Sequence, residues 1–140
     1  MNEMRRVLVV DDTLFFRSTL SDLLRGEGWE VIEAADGKTA VTEAARLGSR
    51  LDLILVDLQM PGMDGFEVLR HLQNDEQARR VRALAMTADH PDLAQMDVLR
   101  SLGARGFVDK TLPMPELLER IRLAAGAEGG PGAAPTPKSR

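Results

Sequence analysis

Hydrophobic positions along this chain fall into two alternating kinds of segment. Short apolar runs occur at Val7–Val10, Trp29–Ala34, Leu53–Val56, Ala83–Met86 and Gly106–Val108. Runs of this length, without strict polar alternation, predict strands covered on both faces. Between them, apolar residues recur at helical spacing. Phe16, Leu20, Leu23 and Leu24 share one face, closed by Gly26 or Gly28. Ala40, Val41, Ala44 and Ala45 mark a second helix, and Phe66, Leu69 and Leu72 a third. Met96, Leu99 and Leu102 mark a fourth, closed by Gly103; Leu117, Leu118, Ile121 and Ala125 mark the last, closed by Gly126. Asp89, Pro91 and Asp92 predict the start of the fourth helix, with proline near its first position. Pro113 and Pro115 leave no Ser, Thr, Asp or Asn directly ahead of the fifth, so its start is open.

Five strand–helix units with short connections predict an α/β fold: a single doubly wound (βα)5 domain with a parallel sheet, helices on both faces and right-handed crossovers. The chain has 140 residues, and a closed α/β barrel needs about twice that. The domain is expected to occupy residues 1–125. Residues 126–140, GAEGGPGAAPTPKSR, lack large apolar side chains and read as a flexible tail or linker stub.

Composition narrows the function. A formal net charge of −4 argues against direct nucleic-acid binding, which needs clustered Lys and Arg. No apolar run approaches the roughly 20 residues that span a bilayer. The opening MNEMRR and the acidic residues that soon follow do not form a signal peptide. Cysteine is absent, which removes disulfides, thiolate metal sites and thiol nucleophiles together. A cytoplasmic protein without membrane contact is the simplest expectation.

In an open parallel sheet, ligands bind beyond the carboxyl ends of the strands. Asp11 and Asp12 follow the first strand, Asp57 the third, Thr87 the fourth and Lys110 the fifth. Taken singly, each has an ordinary explanation. The Asp11–Asp12 pair suits helix capping, Asp57 a turn before Pro61-Gly62, Thr87 a local hydroxyl–backbone bond, and Lys110 a solvated surface. Taken together they share one rim, and the set points to one chemistry. Crowded carboxylates without His or Cys suit Mg2+ or Mn2+. A carboxylate beside such an ion can attack phosphorus, while an ammonium and a hydroxyl hold the added oxygens.

These pieces, LVVDDT at 8–13, LILVDLQMPGMDG at 53–65, LAMTA at 84–88 and GARGFVDK at 103–110, resemble the receiver domain of two-component response regulators, of the chemotaxis-regulator type. The resemblance covers about residues 4–125 and implies the strand order 2-1-3-4-5. It implies that Asp57 accepts the phosphoryl group. Asp12, Asp57 and the Gln59 backbone carbonyl would hold Mg2+, with Asp11 acting mainly through an intervening water. Lys110 would pair with Asp57 and then with its phosphoryl oxygen. Thr87 would close onto that group, and Phe107 would turn inward with it. The switched surface would be the fourth helix, fifth strand and fifth helix. Implied partners are a histidine kinase or phosphotransfer protein and an output protein or domain, the chain itself being a monomer or a weak phosphorylation-dependent dimer.

One position departs from the family pattern: Thr111 stands where a proline usually follows the lysine in a cis peptide. A cis bond before a non-proline residue costs about 2.5–4 kcal/mol, so a reliably cis Lys110–Thr111 bond is not expected. Gln59 and Asp89 flank the site, where they either tune the life of the phosphoryl group or are solvated loop residues. His71 and His90 lack metal-ligand spacing and read as surface residues, Trp29 as packing, and Met60 and Met63 as packing of the loop after Asp57. The Arg79, Arg80 and Arg82 cluster reads as a solvated loop, with a partner surface as the alternative. Lys110→Ala is expected to leave the fold largely intact while impairing switching.

Three other readings compete. A pseudo-receiver would bind partners without phosphorylation; the intact Asp57, Thr87 and Lys110 weigh against it and Thr111 keeps it open. A haloacid-dehalogenase-type phosphatase wants Asp-x-Asp where Asp11 and Asp12 are adjacent. Flavin binding lacks a Ser/Thr/Gly-rich phosphate loop after the first strand.

Overall fold

The computed structural model describes residues 4–126. The expected tail therefore lies, beyond Gly126, outside the described residues. The elements are β1 (Arg6–Val10), α1 (Leu14–Gly26), β2 (Glu30–Ala34), α2 (Gly37–Leu47), β3 (Leu53–Asp57), α3 (Gly65–Gln73), β4 (Arg82–Thr87), α4 (Leu93–Ser101), β5 (Ala104–Asp109) and α5 (Met114–Ala125). The strands form one sheet in the order β2-β1-β3-β4-β5, parallel throughout.

Alternation along the strands splits the interior into two cores. Val7, Val9, Leu53, Leu55, Leu84 and Met86 face Leu20 and Leu24 of α1 and Leu117 and Ile121 of α5. Leu8, Val10, Ile54, Val56, Ala83 and Ala85 face Ala44 of α2, Leu69 of α3 and Leu99 of α4. Burial on both faces is why these strands read as continuous apolar runs rather than alternating ones.

The predicted strands lie in place; all but the second run short, because their observed ends take in polar residues such as Arg6, Asp57, Arg82, Thr87 and Asp109. Asp57 pairs with Met86, and Thr87 with Asp109, inside the sheet. β5 has an irregularity opposite Ala83–Ala85 that brings Phe107 level with Ala85, and the apolar pattern shows nothing of this extra residue. Trp29 precedes β2 rather than opening it; its ring packs on the α1–α5 core with the Arg5 guanidinium 4.6 Å above it.

Two helix starts differ in detail from expectation. Asp92 caps α4, accepting from Gln95 N while Gln95 Oε1 accepts from Asp92 N, so Pro91 lies before the cap and not inside the helix. α5 begins without a side-chain cap, with Pro113 at the cap position and Pro115 in the first turn. Arg82 is not in a loop either. It opens β4 and donates to the Ala125 carbonyl at 2.6 Å, where Arg5 donates at 2.9 Å. Met60 is buried and Met63 half-buried against the core, as packing residues.

Candidate functional site

Parallel pairing puts the ends of β1, β3, β4 and β5 side by side, so residues remote in sequence meet on one rim. Carboxylate oxygens of Asp11, Asp12 and Asp57 all lie within 4.8 Å of one another. Asp11 is 0% exposed and Asp57 2%, while Asp12 is open to solvent. Neither acid of the first pair caps α1; that position belongs to Thr13, whose N–H donates to Asp11 Oδ1 at 2.8 Å. Lys110 is not a solvated lysine. Its Nζ lies 2.7 Å from Asp11 Oδ2 and 3.2 Å from Asp57 Oδ2, and 4.5 Å above the Phe16 ring. The contact to Asp11 is an ion pair by distance rather than a well-directed hydrogen bond, since Oδ2 has no donor at good angles.

The charges follow from this burial. Burial raises the Asp57 carboxyl above its ordinary value, with Asp11 adding repulsion; the Gln59 N–H, 3.1 Å from Oδ1, and the Lys110 ammonium offset only part of this. Burial by itself would pull the Lys110 ammonium down, but Asp11 and Asp57 outweigh it and hold Lys110 above its ordinary value.

The donor set fits a small hard cation. Octahedral Mg2+ with oxygens at about 2.1 Å needs neighbouring ligands about 3.0 Å apart and opposite ones about 4.2 Å apart. Three carboxylate oxygens within 4.8 Å approach that scale, and the surplus acidity over Lys110 favours a divalent ion. The Gln59 carbonyl comes from the same loop as the N–H that Asp57 already accepts.

Thr87 is 1% exposed, and its hydroxyl is occupied locally: it donates to the Asp89 carbonyl at 2.6 Å and accepts from Asp89 N at 3.0 Å. Gln59 and Asp89, read as flanking residues, touch: Gln59 Nε2 donates to Asp89 Oδ2 at 3.0 Å. Phe107 is half-buried against the core on the α4 side. The Lys110–Thr111 peptide is trans. His71 is exposed on α3. His90 is exposed but engaged, with Nε2 2.9 Å from Asp109 Oδ2, a contact no spacing in the sequence suggests.

Gly65 is a second residue the sequence reading passed over. It opens α3 directly beneath Asp57, where a Cβ would meet the Asp57 carbonyl oxygen at 2.5 Å and Leu58 Cα at 2.7 Å. The signal was the glycine following the capping residue Asp64, which accepts from Glu67 N. Gly65→Ala is expected to cost about 1–3 kcal/mol in urea unfolding, as backbone rather than a flexible side chain must give way. A variant as stable as the parent would show that α3 can retreat freely.

A doubly wound sheet with acids and a lysine gathered on its rim defines a flavodoxin-like domain of the chemotaxis-regulator kind. The family description "Response regulator receiver domain" matches residues 7–122, and the chain belongs to that family. The DNA-binding response regulator MtrA of Mycolicibacterium smegmatis is 38% identical over 125 residues, 87% of this chain and 51% of that protein. The chain thus spans about half the length of that relative. Among solved structures, chemotaxis protein CheY4 of Vibrio cholerae superposes with a TM-score of 0.78 at 31% identity, covering 86% of this chain and 98% of that one. The receiver domain of sensor histidine kinase PA1611 from Pseudomonas aeruginosa PAO1 superposes at 0.75 and 29% identity, covering 89% and 99%; its magnesium ion is coordinated in the active-site cleft. Among the described residues, no helix is long and apolar enough to cross a membrane.

Proposed function

We propose that this domain, residues 1–125, is the phosphoacceptor module of a two-component system. The observation that carries the reading is the buried Asp57 carboxylate, set within 4.8 Å of Asp11 and Asp12 oxygens and 3.2 Å from Lys110 Nζ. An Asp57 oxygen attacks the phosphorus of a phosphohistidine donor; the P–N bond breaks, a P–O bond forms, and the donor imidazole leaves with the electron pair. Asp12, Asp57 and the Gln59 carbonyl would hold Mg2+ or Mn2+, with Asp11 acting mainly through an intervening water, and the ion would supply positive charge to the carboxylates and the incoming phosphoryl oxygens. Lys110 follows the new oxygens with its ammonium. Phosphorylation adds roughly −1.5 to −2 charge units at one point. Thr87 then gains a partner better than the Asp89 carbonyl, Phe107 turns inward, and the α4–β5–α5 face changes for an output partner. The domain catalyses only its own phosphorylation and dephosphorylation. Its partners are a histidine kinase or phosphotransfer protein and an output protein or domain, in the cytoplasm.

Incubation with Mg2+ and acetyl phosphate is expected to add the mass of one alkali-labile phosphoryl group. An unmodified chain that still binds Mg2+ would favour a pseudo-receiver. Asp12→Ala is expected to weaken Mg2+ binding at least tenfold, the loss typical of a direct charged contact of about 1.5–3 kcal/mol. Unchanged affinity in a Mg2+ titration removes Asp12 from the ligand set.

A further inference from the structure

The loop leaving β4 carries Thr87, Asp89 and His90, and three ties hold it. The Thr87 hydroxyl binds the Asp89 backbone, and Gln59 binds the Asp89 side chain. The third tie reaches the loop after β5. His90 Nε2 lies 2.9 Å from Asp109 Oδ2, while Asp109 Oδ1 accepts the Thr111 N–H at 2.8 Å and the Thr111 hydroxyl at 2.5 Å. One carboxylate therefore grips the residue beyond Lys110 and a residue of the neighbouring loop. The His90 ring also meets the Phe107 ring edge-on, with centroids 5.4 Å apart.

Two details make this arrangement particular to the chain. A proline after Lys110 would offer neither the N–H nor the hydroxyl that Thr111 gives Asp109. Asp109 is held down to about 2, first by Thr111 and then by His90, so it stays an ionised acceptor and His90 Nε2 donates to it.

We propose that His90, Asp109 and Thr111 form a strap that holds the Thr87 loop and the Phe107 ring in the resting arrangement, and so sets the threshold for switching. The inference rests on the phosphoacceptor reading and specifies its regulation. To reach a phosphoryl group on Asp57, Thr87 must leave the Asp89 carbonyl, which moves the loop on which His90 sits three residues further along. Turning Phe107 inward also breaks its edge contact with His90. The strap favours only the resting state, so its strength subtracts from whatever the phosphoryl group supplies.

The test titrates the full chain with beryllofluoride in MgCl2 and follows the Thr87 and Phe107 amide signals. His90→Ala is expected to bind the mimic about two- to fivefold more tightly, the size suited to a largely exposed hydrogen bond to a carboxylate. The His90 side chain is 66% exposed, so the variant folds and its resting amide spectrum checks this. His90→Gln, which keeps a donor, and Thr111→Ser, which keeps both Asp109 contacts, are expected to match the parent; Thr111→Val is expected to tighten binding as His90→Ala does. Parent binding with an unchanged or weaker His90→Ala overturns the strap and leaves the phosphoacceptor reading standing. Failure of the parent itself to bind the mimic overturns both.

Discussion

Asp57→Asn is expected to abolish phosphoryl uptake from acetyl phosphate and, in the same molecule, to stabilise the resting fold at neutral pH without metal. The amide cannot be esterified, but it keeps the shape of the side chain and an oxygen for the Gln59 N–H. What it removes is a charge in an unfavourable place: burial, and then Asp11, raise the Asp57 carboxyl above its ordinary 3.8. A raised acid binds protons more readily folded than unfolded, so stability falls as pH rises from near 3.8 through the raised value. The advantage of Asp57→Asn over the parent is therefore absent in acid and grows toward neutrality. Urea unfolding in EDTA at several pH values measures it, and a variant less stable than the parent at neutral pH contradicts this account. Excess Mg2+ is expected to shrink the advantage, because a cation that binds the folded parent more tightly restores its stability by mass action.

The same buried charge explains what the sequence made legible. Asp11, Asp57, Thr87 and Lys110 each follow an apolar run, and parallel pairing leaves strand ends nowhere to go but a common rim. Periodicity gives a parallel sheet covered on both faces; the order 2-1-3-4-5 came from the resemblance, because no apolar pattern states which strand neighbours which. Hidden from the sequence were the features that depend on how loops fold. Asp109 looks like one more acid at a strand end, yet it meets His90 because the loops after β4 and β5 lie side by side. Gly65 looks like a turn residue, yet it is needed by the approach of α3 to the Asp57 carbonyl. Arg82 looks like part of a surface cluster, yet it crosses to the end of α5. The Asp109 and Arg82 contacts are made by polar residues across the fold and the Gly65 contact by backbone alone, and neither kind of contact leaves a hydrophobic period.

Lys110→Met is expected to destabilise the domain by about 3–5 kcal/mol at neutral pH in metal-free buffer, the cost of removing one partner from a buried ion pair. The sequence alone expects little loss of fold here, because lysines are usually solvated. The geometry reverses that expectation. The Lys110 side chain is 14% exposed and stands between Asp11 and Asp57, which are nearly closed to water. Methionine keeps most of the aliphatic stem and deletes the ammonium, together with its contact 4.5 Å above the Phe16 ring. Because the folded ammonium titrates above its ordinary 10.5, its contribution is complete below that value and is lost as pH rises through the folded one. The variant's deficit has the opposite cure: acid, which protonates the stranded carboxylates, or Mg2+, which replaces the missing charge. A deficit that neither relieves would place the role of Lys110 in packing rather than charge. A variant within about 1 kcal/mol of the parent, the range of an exposed ion pair, would mean that the two aspartates find another partner. If charge is the role, cation and ammonium are interchangeable guards of the same two carboxylates. On the proposed phosphoacceptor reading, a bound metal would then leave Lys110 free to turn toward an arriving phosphoryl group.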